Sequence, residues 1–140
     1  GCMDEPAKLE LVRDWLRRAG RDLAAARALA ALSDPLLDAA IYHCQQAAEK
    51  ALRGWLQLQD DPFPKTHDLE QLVGQAARLR AEFSEHLPAA AVLTPYASAF
   101  RYPGGAFEPM PSREEFDEAL SHAQVIYDFV VARLPQEAQP

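Results

Sequence analysis

Apolar residues recur along this chain at intervals of three and four, and the polar or proline-bearing stretches between them cut that rhythm into separate amphipathic helices. Leu9, Val12, Leu16, Ala19, Leu23, Ala26 and Ala30 share one side of a first helix. A second is predicted to open with Asp34 as its cap and Pro35 at its first position. It carries Leu37, Ile41, Cys44, Ala48, Ala51, Trp55 and Leu58 to an end near Gln59. Asp68, with Gln71 three residues on, announces a third, whose stripe is Leu69, Leu72, Ala76, Leu79 and Phe83. A fourth spans about Leu87 to Phe100 with Leu93, Tyr96 and Phe100 inward, and Pro95 forces a kink or a fresh start within it. Ser112 and Glu115 form a capping box for a fifth, on which Phe116, Leu120, Ala123, Tyr127, Val130 and Leu134 make the inward face.

Composition agrees with an all-α chain. There are 26 Ala and 18 Leu against ten Val, Ile and Thr together, and it is the β-branched residues that a pleated sheet favours. Sustained spacing with short connections predicts an up-and-down antiparallel helical bundle of four to five helices, and 140 residues suit one domain with one core. Gly1 and Cys2 precede Met3 and read as an expression scar, while residues 135–140 are expected to be a flexible tail. A net charge of −7 and a pI near 5.0 argue against general binding to DNA or an anionic membrane, so any anion site must be local. No apolar run approaches the roughly 18 residues that span a bilayer, and no secretory signal opens the chain, which reads as cytoplasmic. Cys44 sits on an apolar helical face, where a buried thiol is the ordinary reading.

Candidate chemistry gathers on the second helix and after the fourth. His43, Gln46, Lys50 and Arg53 are three and four apart and form one polar stripe, either a solvated face or an oriented site. Arg101, beside Tyr102 at a helix end next to glycines, can grip phosphate through its planar donor fork; alternatively it pairs with an acid while Tyr102 packs inward. Lys65 is the member of its loop best able to meet a phosphate, whereas Asp68 reads as a cap and His67 as a partner of the loop backbone. Arg13, Arg17 and Arg21 step along the first helix with Arg18, Asp14 and Asp22 among them, which favours a salt-bridged solvated face over a track for phosphates. Nothing has the spacing of a zinc site, a Walker loop or a nucleophile elbow, so no metal or cofactor is expected.

Three separated motifs stand out: His43, Gln45, Gln46, Glu49 and Lys50 on one helix, Lys65-Thr66-His67-Asp68-Leu69 after it, and Tyr96 with Arg101-Tyr102-Pro103 late in the chain. Together they resemble the HEPN family of nucleotide-binding and RNA-associated helical domains. The resemblance extends from about Trp15 to Leu134 and implies a helical bundle, a homodimer, and binding of a nucleotide or short RNA. On that footing the expected binding residues are Arg101, Lys50, Lys65, Tyr102, His43, Gln46 and Arg53. It also implies a small separate nucleotidyltransferase as partner, in a toxin and antitoxin type of pair. Ribonuclease members resemble one another in an Arg followed after four to six residues by a His near the start of a late helix. Here no His follows Arg101 until His122, and Arg80 with His86 has the spacing at the wrong place, so an enzyme is disfavoured. A ribonuclease built by the fold from Arg101 and His43, or a module that only docks proteins, remains the alternative.

Overall fold

Asp4 accepts a hydrogen bond from the Ala7 backbone N–H at 2.8 Å and Pro6 stands in the first turn, where its missing N–H leaves no gap, so the first helix, α1, begins at Glu5 and runs to Ala30. The computed structural model describes residues 4–104 and 110–140. In these, α1 is followed by α2 (Leu37–Leu58), α3 (Leu69–Leu79), α4 (Leu87–Leu93) and α5 (Arg113–Val131), with 3₁₀ turns at Ala81–His86, Thr94–Ala97 and Gln136–Ala138. The described residues contain no strand. The protein is an all-α bundle.

Local chemistry explains most of the boundaries. Asp68 caps α3 by accepting from the Glu70 and Gln71 amides, and Ser112 with Glu115 forms the expected reciprocal box at the start of α5. The cap predicted at Asp34 is not one: α2 starts at Leu37 and Leu36 holds the cap position. Pro35 keeps Asp34 out of helical backbone, and the Leu36 N–H is taken by the Leu29 carbonyl at 3.1 Å, so the connection stays tied to α1 and the helix starts late. The third helix is shorter than its stripe suggested. Arg80 turns extended, Leu79 is half exposed, and Phe83 reaches the core from the 3₁₀ turn that follows. Pro95 divides the fourth segment as expected, and the Thr94 hydroxyl donates to the Ala90 carbonyl while accepting from the Leu69 amide. Helix α5 is rotated slightly from its predicted face, with Ala119 and Ile126 buried and Leu120 and Tyr127 only partly so.

Contacts along α1 fix the packing direction. Ascending α1, Lys8 meets Asp60, Leu16 abuts Gly54, Asp22 meets Lys50 and His43, and Leu29 meets Leu36, which makes α2 antiparallel to it. Arg13 likewise reaches Glu137 and Gln139, Gly20 faces Tyr127, Arg27 meets Gln124 and Ala30 meets Arg113, so α5 is antiparallel to α1 as well. Gly54 lets α1 and α2 approach closely: a Cβ there would stand 2.5 Å from Leu16 Cδ2 and 3.0 Å from Trp15 Cβ. Leu16, Ile41, Leu52, Leu56, Leu93 and Ile126 are fully buried between the helices, and Phe83 meets the Trp55 ring at a tilt and the Phe129 ring edge-on, with centroids 4.4 and 4.9 Å away.

The end of the chain departs from expectation. In place of a flexible tail, Ala138 is fully buried, and the Gln139 amide donates to the Val131 and Leu134 carbonyls at 2.8 and 3.0 Å. The Arg13 guanidinium donates to the Glu137 and Gln139 carbonyls from α1, which supplies orphan carbonyls with charged donors. No helix among the described residues is long and apolar enough to cross a membrane.

Candidate functional site

Helix α2 buries Gln45, Glu49 and Arg53, and polar groups withdrawn from water need partners. Arg53 finds them in the loop that follows its own helix. Its guanidinium donates to the Pro64 carbonyl at 3.2 Å, to the Thr66 carbonyl at 2.6 Å and to Glu49 Oε2 at 3.2 Å, and lies over the Phe63 ring at 5.1 Å. Glu49 Oε1 is 2.8 Å from His67 Nδ1, and the Gln45 amide donates to Glu49 Oε1 and to the His67 carbonyl at 3.2 and 3.1 Å. The Gln46 amide donates in turn to Gln45 Oε1 at 2.7 Å. Glu49 is thus a hub that fastens residues 63–67 onto α2. Lys65 is exposed on the loop so held.

A second carboxylate serves the neighbouring face. Asp22 is almost wholly buried, yet its two oxygens lie 2.8 Å from His43 Nδ1 and 2.7 Å from Lys50 Nζ. His43 and Lys50 stand two turns apart on α2, so one acid on α1 gathers both. The His43 ring, part exposed, directs Nδ1 to the acid, and Nε2 has no hydrogen-bond partner among the described residues. The four-residue stripe expected on α2 therefore divides: His43 and Lys50 turn to Asp22, Arg53 turns inward to the loop, and Gln46 lies between them.

Arg101 completes the arrangement from the other end of the chain. Phe100, stacked on Tyr96 at 6.1 Å, adopts a left-handed backbone with φ of 66°. The exposed Arg101 that follows it lays its guanidinium 4.3 Å from the centre of the Tyr42 ring. That same ring meets His43 edge-on at 5.7 Å. Asp38, Ala39, Tyr42, Phe100 and Arg101 enclose a cleft of about 250 Å³. Arg101 has no carboxylate within ion-pair distance among the described residues, and Tyr102 is 74% exposed, so neither of them takes the packed alternative. Residues 105–109 lie outside the described residues.

The roles of three residues central to this geometry escaped the sequence reading. Asp22 lies three residues after Ala19 and four before Ala26, at the edge of the inward seam, and that offset marks an acid turned away from solvent. Tyr42 precedes Gln46 and Lys50 by one and two helical turns on the same row. Glu49 was visible as part of the His43 to Lys50 motif, but its role as hub depends on a loop that spacing cannot place. The other histidines do not join the site. His86 is buried against Phe129 at 4.3 Å with Nε2 unpartnered, and desolvation holds its pKa below the ordinary value. Arg80 is bound to Glu82, so the Arg80 and His86 spacing has no functional geometry. His122 pairs with Glu118 on the same helix. No group of three potential metal ligands gathers among the described residues.

The HEPN domain profile matches residues 12–134. Two solved structures are similar over nearly all of both chains. The crystal structure of ST0689, an archaeal HEPN homologue, is 28% identical with a TM-score of 0.70, over 87% of this chain and 96% of its own. The crystal structure of TT1696 from Thermus thermophilus is 31% identical with a TM-score of 0.71, over 88% and 98%. No curated protein matches the chain.

Proposed function

The chain belongs to the HEPN domain family, and from that premise we propose that it is a nucleotide- or RNA-binding helical module with Arg101 as its phosphate contact. The observation that carries this reading is a guanidinium with no acidic partner among the described residues, its centre 4.3 Å from that of the Tyr42 ring at the rim of a cleft. A guanidinium so placed keeps its in-plane donors available for a phosphate while the ring supports its face. Tyr102 offers an exposed surface for a base, and His43 and Gln46 present polar edges on the same side of α2. Lys50 adds a positive charge that Asp22 steadies, and Lys65 a second from the pinned loop. Arg53 acts by holding that loop, since its donors already meet backbone and Glu49.

Thermal unfolding with mono-, di- and trinucleotides and short RNA tests the reading. A ligand at a hundred times its dissociation constant adds about 2.7 kcal/mol, which raises the midpoint of a chain of this length by roughly 9 °C. At the same ligand concentration the shift should fall to roughly 1 to 5 °C in Arg101→Ala, the remainder left by a ten- to hundredfold loss of affinity. Absence of a shift with every ligand in the wild-type protein refutes it.

A second reading has one observation in its favour: Arg101 and His43 touch the same ring, and Asp22 orients His43 with Nε2 outward. That arrangement suits metal-independent RNA cleavage. Cleavage in the presence of a chelator, lost in both Arg101→Ala and His43→Ala, would establish it, and an inert wild-type protein removes it. Family resemblance further supports a homodimer and a small nucleotidyltransferase partner in a toxin and antitoxin type of pair, to be tested by solution mass and co-purification.

A further inference from the structure

The arginines of α1 do not form the uniformly salt-bridged face that their spacing suggested. Arg13 is bound to carbonyls at the chain end, and Arg18 pairs with Asp14 at 2.9 Å. Asp22, the other acid of that stretch, is turned inward onto His43 and Lys50. Arg17 and Arg21 are left exposed, one turn apart, with no carboxylate partner among the described residues. Like charges at that spacing repel, so the pair gains nothing from its own helix. Both line a groove of about 900 Å³ that also takes in Lys50 of α2 and Tyr127 of α5. Four side-chain cations and two side-chain carboxylates line the groove beside Pro140, and both of those acids are already paired, in a chain whose net charge is −7.

Lys50 belongs to this groove and also to the α2 row that begins at Tyr42 under Arg101. Tyr42 and Lys50 lie about 12 Å apart along the helix axis, whereas successive phosphates of a stacked strand advance about 3.4 Å. A mononucleotide carries its phosphates together at one end and cannot occupy both places. We infer that the ligand is a single-stranded oligonucleotide of at least about four nucleotides, whose backbone passes from Arg101 over Tyr42 and Lys50 onto Arg21 and Arg17. A single row of cations suits one strand, since a duplex would bring a second row of phosphates against an acidic surface. The inference rests on the nucleotide-binding reading of Arg101.

Fluorescence anisotropy of a labelled twelve-nucleotide uridine RNA, titrated at several salt concentrations, separates the two claims. In Arg17→Ala/Arg21→Ala the RNA should bind at least tenfold more weakly, and the slope of log affinity against log salt should flatten by about 1.4, two phosphate contacts at about 0.7 each. The thermal shift given by a mononucleotide should be unchanged, and so should the melting point of the free protein, because both side chains are exposed and unpaired. If the double variant binds the RNA with wild-type affinity and slope while Arg101→Ala weakens it, the track is overturned and the Arg101 site stands. If the double variant also loses the mononucleotide shift, there is one compact site and the track is overturned again. If the wild-type protein binds neither RNA nor mononucleotide, both readings fall.

Discussion

Replacing Glu49 by alanine should unfasten the loop after α2. The substitution removes the acceptor of three contacts, from His67, Gln45 and Arg53, and leaves the buried Arg53 with carbonyl partners but no opposite charge. Removing one member of a buried charged pair costs about 3 to 5 kcal/mol. Here the lower end applies, because Arg53 keeps its bonds to Pro64 and Thr66, and His67 is exposed enough to find water. With unfolding entropy of about 2.1 cal/mol/K per residue, 3 kcal/mol lowers the melting midpoint by roughly 10 °C. Urea unfolding measures the loss directly, and the double variant Glu49→Ala/Arg53→Met measures the coupling. An apolar side chain at 53 strands no charge, so the double variant should be less destabilised than the sum of the two single variants. A loss below about 1 kcal/mol for Glu49→Ala, or strict additivity in the cycle, would refute the hub.

Other substitutions report on other parts of the fold. Gly54→Ala places a methyl against Leu16 and Trp15 where α1 and α2 touch, and calorimetry should show a loss of about 1 to 3 kcal/mol; an unchanged melting point would contradict that close approach. The pKa of His86 is lowered by burial, so the unfolded chain binds its proton first as pH falls. The stability it confers is complete above the unfolded value of 6.5 and declines below it; His86→Phe should flatten urea stability as pH falls below 6.5, and parallel profiles would refute this. Burial pushes the Cys44 thiol up to about 12, so iodoacetamide at pH 8 should modify it only as fast as the protein unfolds, and rapid labelling of the native protein, located by mass spectrometry, would overturn that.

Where an element is specified by groups within one or two turns, the sequence was enough. The Ser112 and Glu115 box, the Asp68 cap and the break at Pro95 all depend on neighbours, and all stand where spacing puts them. Asp34 failed because its cap competes with a bond from Leu36 to Leu29, a contact made only when α1 and α2 are already packed. The chain end was misjudged for a related reason: its polar composition says nothing of Arg13, more than a hundred residues away, which waits with donors for its carbonyls. At the site, Arg101, His43 and Lys50 were legible as residue types at suggestive positions. Their connection through Tyr42 and Asp22 was not, because it joins three helical segments whose register no local pattern records. The stripe on α2 misled in one respect, since helical spacing puts Arg53 on a face but does not reveal that a loop folds over it.

In the proposed function Arg101 holds the phosphate of a bound nucleotide. Calorimetric titration of the nucleotide or short RNA giving the largest thermal shift, into wild-type, Arg101→Lys and Arg101→Ala protein, tests it most directly. A charged hydrogen-bonded contact is worth about 1.5 to 3 kcal/mol, so Arg101→Ala should bind roughly ten- to a hundredfold more weakly. Arg101→Lys should recover part of that, keeping the charge without the planar fork. Equal affinity across the three proteins would contradict the account.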